Sequence, residues 1–590
     1  MSPNKNTFFV GIANSFHDSA MAIVSPDGEV VFAEATERVL QNKRAIGNAP
    51  DQFLRTAATI AEHCPAGARI VLAQPWSTSM VAQMADNTDL DRLGEFIDRA
   101  NREDVPPSLL DQYAFSQFCR QAAPPVIQIT GANLRFGLTE RASEYNIEPE
   151  IRSFDHHLSH AATACLTSPF QESACAVIDG YGEGRSYSCF YFKEGRIEKI
   201  DTPVHRQATS LGYFYMTICR LCGFGLFSGE EWKVMGLASY GTYDPDIAAV
   251  LIPLVQVEGL NLVQCSFAEM YQIYKKLERF RRRPNSPALD VANLAHTAQT
   301  IFSNVMIEFL QNLQRQTGLR NVAMGGGCLL NSAATGLVVE QTGFTNCHVF
   351  SAPADDGNAI GAALLAWQEA NPASQRLAKI QSPYLGSTMS STMLDKVKEH
   401  SGLKVQILPE SEIMSYTAEA LVNGKIVGWA RGRAEFGPRA LGNRSILADP
   451  RSDTIKERIN ASIKFREEFR PFAPAILEEH ASAYFEAYHP TPYMERALRF
   501  KPEMQHKVPG VVHVDGTGRL QTVSRSLNPT FHQLISAFFE KTDIPVLLNT
   551  SFNVMGKPII HSVEDALAVF HTSGLDLLII NDHVIEAVAA

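Results

Sequence analysis

The chain has 590 residues, 45% hydrophobic and 19% charged, with a formal net charge of −11. That length exceeds what one hydrophobic core supports, so two or more domains are expected. The composition excludes a disordered chain, the acidic balance argues against general nucleic-acid binding, and no apolar run approaches a membrane span.

The first elements read as a meander: a strand over Phe8–Ala13, the polar loop Asn14–Ser19, a strand over Ala20–Val24, a turn at Pro26-Asp27-Gly28 and a strand over Val30–Ala33. His17 and Asp18 interrupt the opening apolar run, which therefore reads as a strand and not a signal peptide. Residues 174–200 repeat the plan, with Asp179-Gly180-Tyr181-Gly182-Glu183-Gly184-Arg185 as the loop and Lys193-Glu194-Gly195 as the turn. A duplicated meander followed by helices is how the actin-like ATPase fold is built; the repeat alone leaves chance similarity open.

Between the copies lies Asp155-His156-His157-Leu158-Ser159-His160. On a helix, His156 and His160 share one face, one turn apart, and two imidazoles so placed suit a borderline divalent metal. No glutamate lies between them, unlike the HExxH of zinc proteases. Two strand ends supply acids: Asp179, and Asp355 or Asp356 of Pro353-Ala-Asp-Asp-Gly357. Two histidines and acids make an open, oxygen-rich site of the kind a metal holding a phosphate needs. His17, in the loop equivalent to that after Asp179, is the natural general base, because imidazole changes charge nearest neutrality.

Residues 287–316 read as a long helix with Ala298, Phe302, Val305 and Phe309 on one stripe. The strand-to-turn run Asn321–Asn331 contains Gly325-Gly326-Gly327, where bare amides can approach a phosphate. The run Arg279–Arg283 reads as a solvated helix end. Ten cysteines without framework spacing suggest buried thiols in a cytoplasmic protein, and Cys219-Arg-Leu-Cys222 reads as packing. The polar stretch Glu369–Pro383 marks the domain boundary, placed at 375/376. Beyond it, Arg431–Arg470 holds ten Lys/Arg against six Asp/Glu, with Arg433, Arg439, Arg444, Lys464, Arg466 and Arg470 framed by turn residues. Guanidinium forks on such loops match phosphate geometry. No GxxxxGK[ST] occurs, so any ATP site is not of the P-loop type.

These blocks resemble the carbamoyltransferases of the nodulation, cephamycin and tobramycin type. The resemblance rests on His17–Ala20, Asp155–Ala162, Asp179-Gly180, Gly229–Gly241, Gly325–Asn331, Asp355–Gly357, Phe436–Pro450, Lys464–Pro474, His513–Arg519 and Leu548–Asn553, which together span nearly the whole chain. It implies an actin-like domain over 1–375, holding metal and adenylate, and an α/β domain over 376–590, similar to the threonylcarbamoyl-adenylate synthase. It implies that the second makes carbamoyl-adenylate from carbamoyl phosphate and ATP, and that the first transfers the carbamoyl group to a hydroxyl of a small secondary metabolite.

By the same resemblance His156, His160, Asp179 and Asp355 hold a divalent metal, iron(II) or else manganese or magnesium. His17 and Lys43 lie near the transferring carbonyl. Gly180, Gly326, Gly327 and Asn331 bind nucleotide, and Arg439, Lys464, Arg466, Arg470, Arg519, Asn549 and Ser551 bind carbamoyl phosphate and ATP. The expected partner is a small hydroxylated acceptor, with no nucleic acid and no membrane; a homodimer is compatible with this reading. An actin-like sugar kinase explains only the first domain. A tRNA threonylcarbamoyl transferase predicts a basic surface. The hydrogenase-maturation carbamoyl transfer protein carries zinc-binding cysteine pairs that are not found here. Ala238-Ser239-Tyr240-Gly241, Gly326–Asn331 and Glu37–Arg44 depart from the family pattern and put the acceptor in question, not the reaction.

Overall fold

The computed structural model describes residues 6–50, 55–80, 94–95, 97, 105–139, 144–148, 150–202, 208–225, 229–372, 380–467 and 469–587. The chain divides into two units: Met1–Thr36 with Arg44–Gln381, and Glu37–Lys43 with Ser382–Ala590. The sequence boundary at 375/376 lies outside the described residues. The sequence reading kept all of 1–375 in one domain, whereas Glu37–Lys43 belongs to the second unit. The reason is specific anchoring: the Arg38 guanidinium donates to Gly437 O at 2.7 Å, and Gln41 Nε2 to Ile559 O at 3.1 Å.

The first unit is built on β1 (Thr7–Ala13), β2 (Ala20–Val24), β3 (Val30–Ala35), β4 (Arg69–Gln74), β5 (Asn146–Ile147), β6 (Arg152–Ser153), β7 (Glu172–Gly182), β8 (Arg185–Lys193), β9 (Arg196–Ile200), β10 (Gln256–Glu258), β11 (Asn261–Val263), β12 (Asn321–Gly325) and β13 (Asn346–Val349). One sheet runs β3-β2-β1-β4-β5, another β13-β12-β7-β8-β9. Each is an antiparallel three-stranded meander whose first strand also pairs in parallel with a later strand, β1 with β4 and β7 with β12. The repeat read from the sequence is therefore a duplicated sheet, the actin-like plan. β1 is buried at every position, as a central strand covered on both faces must be.

The sequence placed a loop after Ile178. Instead β7 continues to Gly182, its register to β8 shifting between Ile178 and Gly182, and the chain turns at Glu183 (φ 50°) and Gly184 (φ 79°). Two consecutive left-handed residues make the tight hairpin turn that matches strand twist. The long helix runs Ala292–Thr317, preceded by a 3₁₀ turn at Ala288–Val291 and ended by Gly318 at φ 67°. In the run Arg279–Arg283, Arg281 pairs with Glu278 at 2.5 Å and Arg282 Nε donates to Ser286 O at 2.9 Å, so both are braced rather than merely solvated. All ten cysteines are free thiols.

The second unit carries β14 (Val405–Ile407), β15 (Val427–Ala430), β16 (Arg444–Ala448), β17 (Ala473–Leu477), β18 (Arg496–Arg499), β19 (Thr517–Val523), β20 (Val546–Ser551), β21 (Leu577–Ile580) and β22 (His583–Glu586) in one mixed sheet of order β14-β22-β21-β15-β16-β20-β17-β19-β18. The helices Glu410–Val422 and Pro529–Thr542 pack together in its core. Arg444 opens β16 and is fully buried. Its guanidinium donates to the carbonyls of Asn443 (2.8 Å), Ser387 (2.9 Å), Gly432 (3.1 Å) and Arg431 (3.2 Å). One cation thus ties together a loop in which Asn443 O and Ser387 O also accept from Arg431 N and Ala434 N, and adds a donor for Arg431 O and Gly432 O.

Arg444→Leu removes those donors and leaves the buried Arg431 carbonyl unpaired, while Asn443 O and Ser387 O keep their backbone donors. The expected outcome is destabilisation of the second unit by about 1–3 kcal/mol, with faster hydrogen exchange in β15 and β16. Unchanged exchange in those strands would remove the bracing role.

Candidate functional site

Asp155 starts the site. Its carboxylate accepts from Leu158 N at 2.9 Å and caps the helix His156–Leu166. The helix is buried nearly all round, and its Ala-rich surface lets the helix Asn358–Ala370 cross it at Gly361, where a Cβ would overlap Ser159 O. Thr163 Oγ1 donates to Gly357 O at 2.8 Å across the same crossing. These contacts bring the Asp355–Gly357 turn over the first helical turn.

The i,i+4 pair then faces two carboxylates. His156 Nε2 lies 3.5 Å from Asp179 Oδ2 and 3.6 Å from Asp355 Oδ1; His160 Nε2 lies 3.8 Å and 3.5 Å from the same atoms. Ligand atoms from all four lie within 4.8 Å of one another. Asp356 is used differently: its Oδ1 accepts from Gly357 N at 3.0 Å. Burial lowers the His156 imidazolium's stability, but Asp179 and Asp355 outweigh it and raise its pKa to about 10. Burial raises the two acids, and the histidines reverse this and hold both carboxyls well below the usual range. Both His156 nitrogens and His160 Nε2 are buried without a hydrogen-bond partner. Two imidazoles with open nitrogens beside two ionised carboxylates fit a divalent cation that accepts mixed nitrogen and oxygen ligands.

Residues that the sequence reading missed hold His156 in place. Trp76 stacks on its ring, centroids 4.1 Å apart and planes at 20°. Glu183 Oε1 accepts from both His156 N (3.2 Å) and Ser77 N (2.6 Å), tying the Trp76 loop to the helix. A Cβ on Gly182 would overlap the His156 ring. The signal for Gly182 was in the sequence, since glycine inside a strand marks a close approach. Trp76 left none.

His17 Nδ1 lies 2.9 Å from Asp18 Oδ2, 3.1 Å from Arg44 Nη2 and 3.8 Å from Asp355 Oδ2. Burial raises the Asp18 carboxyl, but Arg44, paired at 2.6 Å, and His17 hold it well below its usual value. Lys43 does not join this group. It belongs to the second unit, where its charge is among those that depress Lys464.

Gly327 N donates to Asp179 Oδ1 at 2.8 Å and so aims the other oxygen at the histidines. Gly326 sits at φ 99°, where a Cβ would overlap Ile178 O. Gly180 offers open space around its Cα, and its carbonyl accepts from Ser210 Oγ at 2.6 Å. The Asn331 amide is taken up locally: it caps the helix Ser332–Gly336 and exchanges hydrogen bonds with Gln299 at 3.0 and 3.1 Å.

The second unit gathers a cluster of opposite charge. Burial lowers Lys464 well below its ordinary value, and Arg466, Arg470 and Lys43 lower it further. Burial and Arg470 bring Arg466 down to about 9. Burial brings Arg439 down to about 10. Arg519 falls well below its usual value through burial and the charges of Arg439 and Arg466. Lys464 Nζ donates to Ser551 O, Asn553 O (2.9 Å) and Asn553 Oδ1 (2.7 Å), while Arg466 lies over the Phe472 ring at 4.7 Å. Arg470 pairs with Glu467 at 2.8 Å. Arg466 Nη2, Arg519 Nε and Asn549 Oδ1 are buried without partners. Asn549 Nδ2 donates to Ala440 O at 3.1 Å and Gln521 Oε1 at 2.8 Å. Of the turn-framed arginines, Arg433 and Arg444 brace backbone carbonyls; Arg439, Arg466 and Arg470 build the cluster. Buried cations with so little acid beside them suit a phosphorylated anion.

The family profile described as Carbamoyltransferase N-terminus matches residues 128–364, and that described as Carbamoyltransferase C-terminus matches 418–587. Nodulation protein NolO of Bradyrhizobium diazoefficiens is 36% identical over 448 residues, covering 73% of this chain and 78% of that protein. Nodulation protein NolNO of Sinorhizobium fredii is 34% identical over 464 residues, covering 76% of this chain and 66% of that protein. Among solved structures, full-length HypF in its phosphate- and nucleotide-bound form aligns with a TM-score of 0.34 at 10% identity, covering 62% of this chain and 56% of that one.

Gly182→Ala drives a methyl into the His156 ring, whereas Gly180→Ala meets nothing within 4 Å. The expected result is a loss of about 1–3 kcal/mol for Gly182→Ala, of the size of core overpacking, with a perturbed Trp76 near-ultraviolet signal. Gly180→Ala serves as the silent control. Equal melting shifts in the two variants would discard the steric account.

Proposed function

The chain belongs to the carbamoyltransferase family, and from that premise we propose that it is an ATP-dependent O-carbamoyltransferase acting on a small hydroxylated molecule. One observation carries the reading: two buried clusters of opposite character, a His/Asp tetrad in one unit and a cationic cluster in the other. A sugar kinase has no use for the second cluster.

In the second unit Arg439, Lys464, Arg466, Arg470 and Arg519 hold phosphate oxygens, with Ser551 and the open Asn549 Oδ1 beside them. Lys43 takes a place among these cations rather than at the transfer site. Water adds to the carbamoyl carbon of carbamoyl phosphate, the bond to the phosphate oxygen breaks, and carbamate and phosphate result. The carbamate oxygen attacks the α-phosphorus of ATP and pyrophosphate leaves, giving carbamoyl-adenylate. The cationic cluster lowers the cost of bringing two anions together.

In the first unit the acceptor hydroxyl attacks the carbamoyl carbon, AMP departs with the bonding pair, and the hydroxyl proton passes to His17. The supporting geometry is the 2.9 Å approach of His17 Nδ1 to the Asp18 carboxylate, which stabilises the imidazolium formed afterwards. His156, His160, Asp179 and Asp355 are the residues to hold a divalent metal, and their imidazoles favour iron(II) or manganese over magnesium. Such a metal supplies Lewis-acid stabilisation of charge on the departing phosphate. Gly180, with nothing within 4 Å of a Cβ, leaves room for the nucleotide, whereas Gly326 and Gly327 stay bare to pack against Ile178 and Asp179. No helix among the described residues is long and apolar enough to cross a membrane; a cytoplasmic location remains part of the proposal.

The primary test is incubation with ATP, carbamoyl phosphate and a panel of hydroxylated metabolites. The expected product gains the mass of one carbamoyl group and requires both co-substrates; product formed without ATP would refute the adenylate route. Arg470→Ala is expected to reduce pyrophosphate release by about a hundredfold or more, the scale of losing a charged phosphate clamp, and to spare transfer from supplied carbamoyl-adenylate. Parallel loss of both activities would argue against two separate sites. His160→Ala is expected to lose most bound metal by elemental analysis while still turning over carbamoyl phosphate. Unchanged metal content would remove the tetrad from the mechanism.

A further inference from the structure

The first unit holds a row of aromatic rings that the chemistry above does not use. Tyr181 stacks on Tyr213 with centroids 6.3 Å apart and planes at 14°. Tyr213 meets Phe115 edge-on at 6.1 Å, Phe115 meets Phe16 at 6.3 Å, and Phe16 meets Phe118 at 5.6 Å. Four segments far apart in sequence converge to make it: the loop after β1, the helix Pro107–Ile129, β7 and the start of the helix Leu211–Leu221.

The row meets the candidate reaction centre at two points. The Phe16 ring touches its neighbour His17, centroids 4.4 Å apart. Tyr181 is two residues beyond Asp179, on the same strand, and the half-buried Tyr213 lies within the field of the Asp179 charge. Phe118 and Tyr181 keep large exposed areas, 39% and 44% of each residue. Large rings with this much exposed face beside a reaction centre offer an apolar surface to a ligand.

The charges around the row indicate what covers it. Arg44 is paired with Asp18, and Arg220 beside the helix Pro107–Ile129 is paired with Asp111 at 3.0 Å. Asp179 and Asp355 are turned inward to the histidines. These acids are already matched, so they offer a polycationic acceptor little. Ring faces offer a good surface to a flat, uncharged, C–H-rich face, whether of a neutral sugar or of an alicyclic or aromatic alcohol.

Resting on the carbamoyl-transfer reading, we propose that the Phe16–Phe118–Tyr181–Tyr213 row is the acceptor-binding wall and selects uncharged acceptors that present a flat ring face. Phe118 and Tyr181 are the specificity-determining contacts, and Phe16 couples the wall to His17.

The test measures binding and needs no turnover. Saturation-transfer NMR on the full-length enzyme is run with four probes: methyl β-glucoside, cyclohexanol, glycerol and the polycationic aminosugar neomycin. Methyl glucoside or cyclohexanol should bind, and whichever binds better tells a sugar face from an alicyclic one. Phe118→Ala and Tyr181→Ala should each weaken that binding roughly three- to tenfold, and Tyr181→Phe should retain it. Both residues are partly exposed, and circular dichroism confirms that the variants fold. Preference for neomycin or glycerol, binding of no probe, or unchanged affinity in both alanine variants overturns the proposal. Phosphate release from carbamoyl phosphate and ATP by the wild-type enzyme is scored separately, so failure of the activation chemistry is not mistaken for failure of the wall.

Discussion

Asp179 and Asp355 turn carboxylate oxygens toward one buried point, and two like charges cannot be desolvated together without a positive partner between them. The first unit is arranged around that constraint. His156 answers it by holding a proton against the pull of burial. Its ring can be there only because Gly182 has no side chain, and Trp76 closes its other face. The helix carrying it starts where Asp155 caps it, and the turn carrying Asp355 reaches it because Gly361 lets two helices cross closely. Two carboxylates held ionised at one buried point are electrostatically prepared for a divalent cation, which would take the place of the His156 proton.

The second unit has the same difficulty with the sign reversed. Lys464 and Arg519 are lowered by burial and by neighbouring cations that include Arg466, and Arg466 by burial and Arg470, which means that folding works against their charge. The buried nitrogens of Arg466 and Arg519 that lack partners are stability given up in the fold, and an anion is the group that would offset it.

What the sequence made legible followed from short-range geometry. His156 and His160 share a face because i,i+4 always does, and Asp179 on β7 and Asp355 in the turn after β13 converge because β7, β12 and β13 run parallel in one sheet. The duplicated meander was readable from its strand and turn spacing. What failed to show depended on distant partners. Arg439 and Arg444 share one Gly-Pro-Arg-Ala-Leu-Gly-Asn-Arg run, yet one joins the cationic cluster and the other braces carbonyls contributed from residues 387 to 443. Trp76 has no local pattern linking it to a helix eighty residues on. The extension of β7 past Asp179 was hidden because its glycines read as loop, although they serve close packing.

The segment Glu37–Lys43 makes the second unit discontinuous in the gene as well as in the chain. A reading frame cut after Gln381 would encode the whole nine-stranded sheet but not Arg38, which braces the Gly437 carbonyl two residues from Arg439, nor Lys43 beside Lys464. The second unit is therefore not one contiguous stretch of sequence: seven of its residues, Glu37–Lys43, are encoded within the span of the first.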